Sequence, residues 1–206
     1  MPNRIRRFRI ISSNIFASSS LLIPSNLDKE QIQRIPPFQI EEFDIALQSM
    51  ANLKSADASG IVIEMVKHAT NTFKDNLVSL FNQNLMDASF EDSWYVTILQ
   101  MLPKDGDLNK LTNWRPIAIL PIFYKIYSKL VYNRISPYLF KYQSWDQHGF
   151  TPGIRIEDAL LCAEVAIEHH LEFQLPMWML SMDIRKTFNT IDHSALMQSL
   201  RSKGLS

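Results

Sequence analysis

Asp183 closes an apolar run, Pro176-Met177-Trp178-Met179-Leu180-Ser181-Met182, and is followed by Ile184-Arg185-Lys186-Thr187-Phe188-Asn189. Such a run reads as a buried strand. An ionised carboxylate at its end is costly unless it is paired, bound to a metal, or used to cap the next helix. Position alone favours the cap. A second group lies upstream, where Lys104-Asp105-Gly106-Asp107 is a turn sequence and Arg115 follows within Asn113-Trp114-Arg115-Pro116-Ile117. Residues 101–134 carry six basic and two acidic side chains, a net of +4, interleaved with Trp114, Phe123, Tyr124, Tyr127 and Tyr132. Cations among aromatics suit an anion-binding surface; a solvated helix face is the plainer reading of the same charges.

The elements that would position these groups follow from periodicity. Apolar residues recur at three and four positions in Phe43, Leu47 and Met50, in Ile61, Met65 and Val66, and in Phe73, Leu77, Leu80, Phe81 and Leu85, which predicts amphipathic helices from Gln39 onward. Trp94 to Leu102 is rich in strand formers and stops at Pro103, and Pro116 to Leu120 is a second short apolar run. Ile122 to Ile135 predicts a helix ending at Pro137, Ile156 to Phe173 another, and Ser194 to Lys203 a last one with Gly204 as its stop. Asp192-His193 reads as the cap of that last helix. The other histidines, His68, His148, His169 and His170, show no metal-cluster spacing. Cys162 reads as core, on the apolar face of its helix.

Lys+Arg and Asp+Glu number 21 each in 206 residues, so no global field selects nucleic acid or membrane as a partner. The balance is local: residues 1–37 hold six basic and two acidic side chains, 38–100 three and nine, and 135–206 six and eight. An apolar share of 46% is enough to build a core. One cysteine excludes an intramolecular disulfide framework and any multi-cysteine zinc site, and fits a reducing intracellular compartment. Residues 1–37 combine early arginines, a serine-rich middle and a Pro36-Pro37 stop. Serines and Asn14 interrupt what a secretory leader needs, so the segment is expected to be a disordered leader or connector.

Asp183-Ile184-Arg185-Lys186-Thr187-Phe188-Asn189, with Asp192-His193 beyond it, resembles the first palm carboxylate motif of reverse transcriptases of non-LTR (LINE-like) retrotransposons. Further segments resemble the family's motifs in the family's order. These are Leu53-Lys54-Ser55-Ala56-Asp57-Ala58-Ser59-Gly60-Ile61 at the start of the fingers, Lys104-Asp105-Gly106, Asn113-Trp114-Arg115-Pro116-Ile117, and Gln147-His148-Gly149-Phe150-Thr151-Pro152-Gly153. Lys125 and Arg134 stand where the family's next helix carries its Lys and Arg. The likeness runs from about Leu53 to Gly204. Each motif alone is weak, and several in the right order and spacing are strong.

The resemblance implies an α+β right-hand polymerase: a connector at 1–37, a fingers-like region at 38–172, and the first strand and helix of a truncated palm at 173–206. It implies RNA-templated DNA synthesis, with RNA template, DNA primer and deoxynucleoside triphosphates as partners. Asp183, with the backbone carbonyl of Ile184, would bind catalytic Mg²⁺. Phe188 would be the steric gate against a 2′-hydroxyl, Lys104 and Arg115 would grip the triphosphate, and Gln147, Gly149 and Phe150 would lie near template and primer. The family's second carboxylate element is a Tyr-x-Asp-Asp hairpin, a tetrapeptide that these 206 residues do not contain. Two-metal catalysis needs carboxylates from separate elements, so the residues are expected to be inactive alone. Asn189, Thr187, Thr151 and Ile154 also depart from the family's usual residues. The competing expectation is a noncatalytic nucleic-acid-binding or interaction protein derived from a mobile element.

Overall fold

Phe43 and Leu47 sit one helical turn apart and both are fully buried, as an amphipathic helix requires. They belong to α1 (Ile40–Ser49), the first helix of a computed structural model that describes residues 6–11 as backbone only, and 35–110, 113–184 and 191–205 in full. The backbone N–H of Gln39 donates to the Glu42 carboxylate at 2.9 Å, which fixes where α1 begins. α2 (Ile63–Lys67) and α3 (Asn71–Asp87) follow, α3 capped by Thr70, whose hydroxyl oxygen accepts from the Phe73 N–H at 3.3 Å. A single 3-10 turn, Asp92–Tyr95, leads into the sheet.

The chain divides into two compact units, Met1–Arg134 and Ile135–Ser206. In the first, an antiparallel sheet runs in the order β1 (Arg6–Ile11), β2 (Val96–Pro103), β3 (Trp114–Ile119). β2 and β3 form the hairpin that their strand-forming runs predict. β1 departs from expectation: part of the segment read as a disordered leader pairs with β2, Arg7 opposite Gln100 and Arg9 opposite Ile98. Arg7-Phe8-Arg9-Ile10 alternates charged and apolar residues, the period-two signal of a strand, and that local pattern outweighs the composition around it.

The core of this unit joins α1, α2 and α3 to the start of α4 (Ile122–Lys141) through Phe43, Leu47, Val66, Phe81, Ile126 and Leu130. Aromatic rings close it: Phe81 meets Trp94 edge-on at 5.8 Å and Tyr127 edge-on at 5.7 Å, and Phe90 stacks on Trp94 at 5.4 Å. Such pairs add about 0.5–1.5 kcal/mol beyond the area they bury. Burial also raises the Tyr127 phenol above its ordinary value. α4 was expected to stop at Pro137 but continues to Lys141 with that proline inside it. The helix forgoes the one hydrogen bond that the missing N–H would make.

The second unit contains the end of α4, α5 (Ile156–Glu172) and α6 (His193–Ser202). α6 starts as its sequence predicts, the Asp192 carboxylate accepting from the N–H groups of Ser194 at 2.7 Å and Ala195 at 3.3 Å. These bonds hold the Asp192 carboxyl below its usual range.

Two expectations fail here. Residues 176–184 join no sheet among the described residues, and Trp178 is 96% exposed rather than buried. Cys162 and its neighbours Leu160 and Leu161 are exposed, not core. Both failures have one physical cause: apolar periodicity tells which face is fit for burial, and burial itself needs a packing partner that the described residues do not supply. Among the described residues no helix is long and apolar enough to cross a membrane.

Candidate nucleotide and nucleic-acid site

The β2–β3 hairpin brings Lys104 and Arg115 together. Arg115 pairs with Leu102 and Trp114 with Pro103, and the Lys104 N–H donates to the Asn113 carbonyl at 2.7 Å, carrying the same register one residue further. Lys104 and Arg115 are therefore diagonal neighbours in one row of the hairpin, a spacing that long side chains bridge. Both are exposed.

The turn between the strands is internally bonded. The Asn113 side-chain amide donates to the Asp107 carbonyl at 2.8 Å, and the Trp114 indole N–H to the Leu108 carbonyl at 2.9 Å. The Asn109 N–H donates to the Asp107 carboxylate at 3.0 Å. Gly106, at φ +114°, occupies a conformation that other residues avoid, and a Cβ there would stand 3.0 Å from the Asn113 amide nitrogen.

What leads from this hairpin into α4 is set by a residue that sequence reading placed in a motif without a role. Asp57 is buried. One carboxylate oxygen accepts from the N–H groups of Ser59 at 2.9 Å and Ile61 at 3.0 Å. The other accepts from the N–H of Ile122 at 2.9 Å, at the first turn of α4. An acid there satisfies an orphan donor and meets the positive end of the helix dipole. Lys125, one turn on, is pushed below its ordinary value by burial, and the Asp57 charge opposes that shift. The Asp57-x-Ser59-Gly60 order is the available sequence signal, since Asp side chains fold back on N–H groups two residues on.

Arg134, which the family resemblance had placed on this helix, is a clamp. Its guanidinium grips the Glu42 carboxylate through Nε at 2.8 Å and Nη2 at 2.7 Å, donates to the carbonyls of Pro36 and Pro37, and lies 4.3 Å over the Phe38 ring. The Arg134 hydrogen bond holds the Glu42 carboxyl below its usual range.

In the second unit, Gln147, Gly149 and Phe150 share one loop. The Gln147 side chain donates to the Gly149 carbonyl at 3.0 Å, and the Thr151 hydroxyl to the Gln147 carbonyl at 2.6 Å. Gln143 donates to both the Gln147 carbonyl and the Thr151 hydroxyl oxygen. Phe150 is 89% exposed at φ +60°, a backbone region uncommon for a bulky residue. Asp183 and Ile184 are exposed at the end of residues 176–184, which form no helix or strand, and Phe188 lies outside the described residues. Among the described residues no group of three or more His, Cys, Asp or Glu side chains could hold a metal ion. The Asp183 carboxylate and the Ile184 carbonyl are nonetheless hard oxygen donors, the kind Mg²⁺ takes one or two of beside substrate phosphates. They fit one side of such a site.

These segments fall within a family. Residues 102–206 match the reverse transcriptase (RNA-dependent DNA polymerase) family, and the chain belongs to it. Its relatives are proteins of non-LTR retrotransposons. It is 28% identical over 182 residues to the Transposon TX1 uncharacterized 149 kDa protein of Xenopus laevis, covering 88% of this chain and 14% of that protein. It is 26% identical over 112 residues to the retrovirus-related Pol polyprotein from type-1 retrotransposable element R2 of Popillia japonica, 54% of this chain and 16% of the polyprotein. Against the corresponding R1 polyprotein of Bradysia coprophila it is 26% identical over 177 residues, 83% of this chain and 17% of that one. The chain thus spans under a fifth of each.

Proposed function

We propose that these residues are the fingers and the opening of the palm of a non-LTR retrotransposon reverse transcriptase, which copies RNA into DNA. The observation that carries this reading is the hairpin row that joins Lys104 to Arg115 within the family-matched residues. Arg115 offers a planar fork to phosphate oxygens and Lys104 a mobile charge beside it. Asp183, with the Ile184 carbonyl, would hold Mg²⁺ on one side. Bound there, Mg²⁺ supplies positive charge to the triphosphate and to the attacking oxygen. Phe188 would stand beside the sugar and exclude a 2′-hydroxyl by shape. Gln147, Gly149 and Phe150 would contact template and primer, glycine allowing close approach of the strand.

Binding of a fluorescent deoxynucleoside triphosphate with Mg²⁺ tests this. Replacing Lys104 and Arg115 together with Ala should weaken it about tenfold or more, since each removes a charge-assisted hydrogen bond. Asp183→Ala should remove the Mg²⁺ dependence, and Phe188→Val should level the preference over the ribonucleotide. Unchanged affinity in the double variant overturns the reading.

A further inference from the structure

Beyond the loop residues that family likeness assigns to template and primer, the same region carries an aromatic and cationic surface with no role yet. Trp145 is 90% exposed on the loop that the Gln143, Gln147 and Thr151 hydrogen bonds hold in shape. Three residues before it, Tyr142 is half exposed, and two ammonium groups converge on its ring. Lys141 Nζ, from the end of α4, is 5.9 Å from the ring centroid, and Lys203 Nζ, just past α6, is 5.2 Å from it. Between Lys141 and Arg155 the only acid is Asp146 and the only aliphatic side chain larger than Pro is Ile154.

That chemistry separates this surface from an exposed aliphatic face of the same unit. α5 exposes Leu160, Leu161 and Val165, aliphatic groups such as a protein interface would bury. Residues 142–145 instead offer two exposed rings, Tyr142 with cations beside it and Trp145 on a loop backbone ordered by its own hydrogen bonds. Flat π-faces flanked by ammonium groups suit unpaired bases joined by phosphates. Stacking serves any base, and the cations meet the backbone.

We propose that Trp145, with Tyr142, Lys141 and Lys203, forms a stacking platform for single-stranded nucleic acid, with Trp145 as its principal stacking residue. This rests on the reverse transcriptase reading and extends its template side to residues that reading does not use. A ring on a loop whose backbone is already ordered gives up only side-chain freedom on stacking, and the lysines make the contact dependent on salt.

The test uses the 206-residue chain and a fluorescein-labelled single-stranded RNA of about twelve nucleotides, within the span such sites cover, with affinity read by anisotropy across salt concentrations. Trp145→Ala should weaken binding about fivefold or more with the salt slope unchanged, as expected for a lost stacked base. Trp145→Phe should restore most of it. Lys203→Ala should instead flatten the slope by about 0.7, the value for one phosphate of a single strand. Trp178→Ala, removing a similarly exposed indole from residues 176–184, should change nothing. An RNA with abasic sites should bind the unaltered chain weakly and lose nothing further in Trp145→Ala, and duplex RNA should bind less well than single strands.

Equal affinity of the unaltered chain and Trp145→Ala overturns the proposal, as do equal losses in Trp145→Ala and Trp178→Ala, or duplex RNA binding as well as single strands. No measurable RNA binding at low salt also overturns it. None of these results touches nucleotide binding through Lys104 and Arg115, so the platform can fail while the reverse transcriptase reading stands, and failure of that nucleotide binding identifies the opposite case.

Discussion

The Asp57 carboxylate accepts the backbone N–H of Ile122 at 2.9 Å across 65 residues of sequence, while its other oxygen closes the turn at Ser59 and Ile61. One buried side chain therefore fixes both the loop before α2 and the first turn of the helix that follows the hairpin.

Asp57→Ala leaves three N–H groups without their acceptor, of which the Ile122 N–H is buried, and should destabilise the first unit by about 1–3 kcal/mol, the cost of one unsatisfied buried donor. Asp57→Asn keeps one carbonyl oxygen, enough for the turn or the helix but not both, and should fall between. Urea unfolding followed by far-ultraviolet circular dichroism measures this. An Asn variant as stable as the parent would contradict the double role.

The Arg134–Glu42 pair predicts an acid-side loss of stability. The Glu42 carboxyl lies below its ordinary value near 4.5 in the folded chain. Its contribution is therefore complete above that value and disappears as pH falls through the lower, folded one. The Glu42 side chain is 36% exposed, so solvent screening limits the effect to about 1 kcal/mol or less. Stability measured from pH 6 downward should fall less steeply in Glu42→Gln than in the parent. Parallel curves would show that the pair contributes nothing.

Register also sorts the N-terminal arginines. Arg7 and Arg9 pair with Gln100 and Ile98, which pair in turn with Ile117 and Ile119, in the alternating row that contains Arg115; Arg6, opposite Met101, falls in the other row. Replacing Arg7 and Arg9 with Ala should flatten the salt dependence of RNA binding, whereas Arg6→Ala should leave it nearly unchanged. Equal effects from all three would mean that the arginines act as loose charge rather than as part of the sheet.

Amide exchange should be fast over 177–183, which join no sheet among the described residues, and slow over 122–135, where α4 packs in the core. Strong protection of 177–183 in the monomeric chain would require a pairing absent among the described residues.

The helices around Phe43, Phe81 and Ile126 were legible because each states its buried face within a few turns of sequence. The hairpin was legible because two strand-forming runs flank a turn. Asp57 was not, since its decisive partner is a backbone N–H, which no residue type advertises, 65 positions away. β1 announced itself by alternation, but the arginines and serines around it suggested a leader. For 176–183 the pattern promised burial, and a pattern cannot name the strand that would deliver it. Lys104 and Arg115 were found by likeness, and their common row only by register. Trp145 follows no periodic pattern; its exposure, and the two lysines that flank the Tyr142 ring, exist only in three dimensions.

The Arg134 clamp has a consequence for the order in which the protein is made. Glu42 leaves the ribosome 92 residues before the guanidinium that holds it. At about 5–20 residues per second, that interval lasts roughly five to twenty seconds. Throughout it α1 lacks its clamp to α4 and relies on partners such as Phe81 of α3, so the nascent segment stays open to chaperones, proteases or a neighbouring chain. Synonymous codons that slow translation between Glu42 and Arg134 should therefore lower the soluble yield, although the finished protein is unchanged.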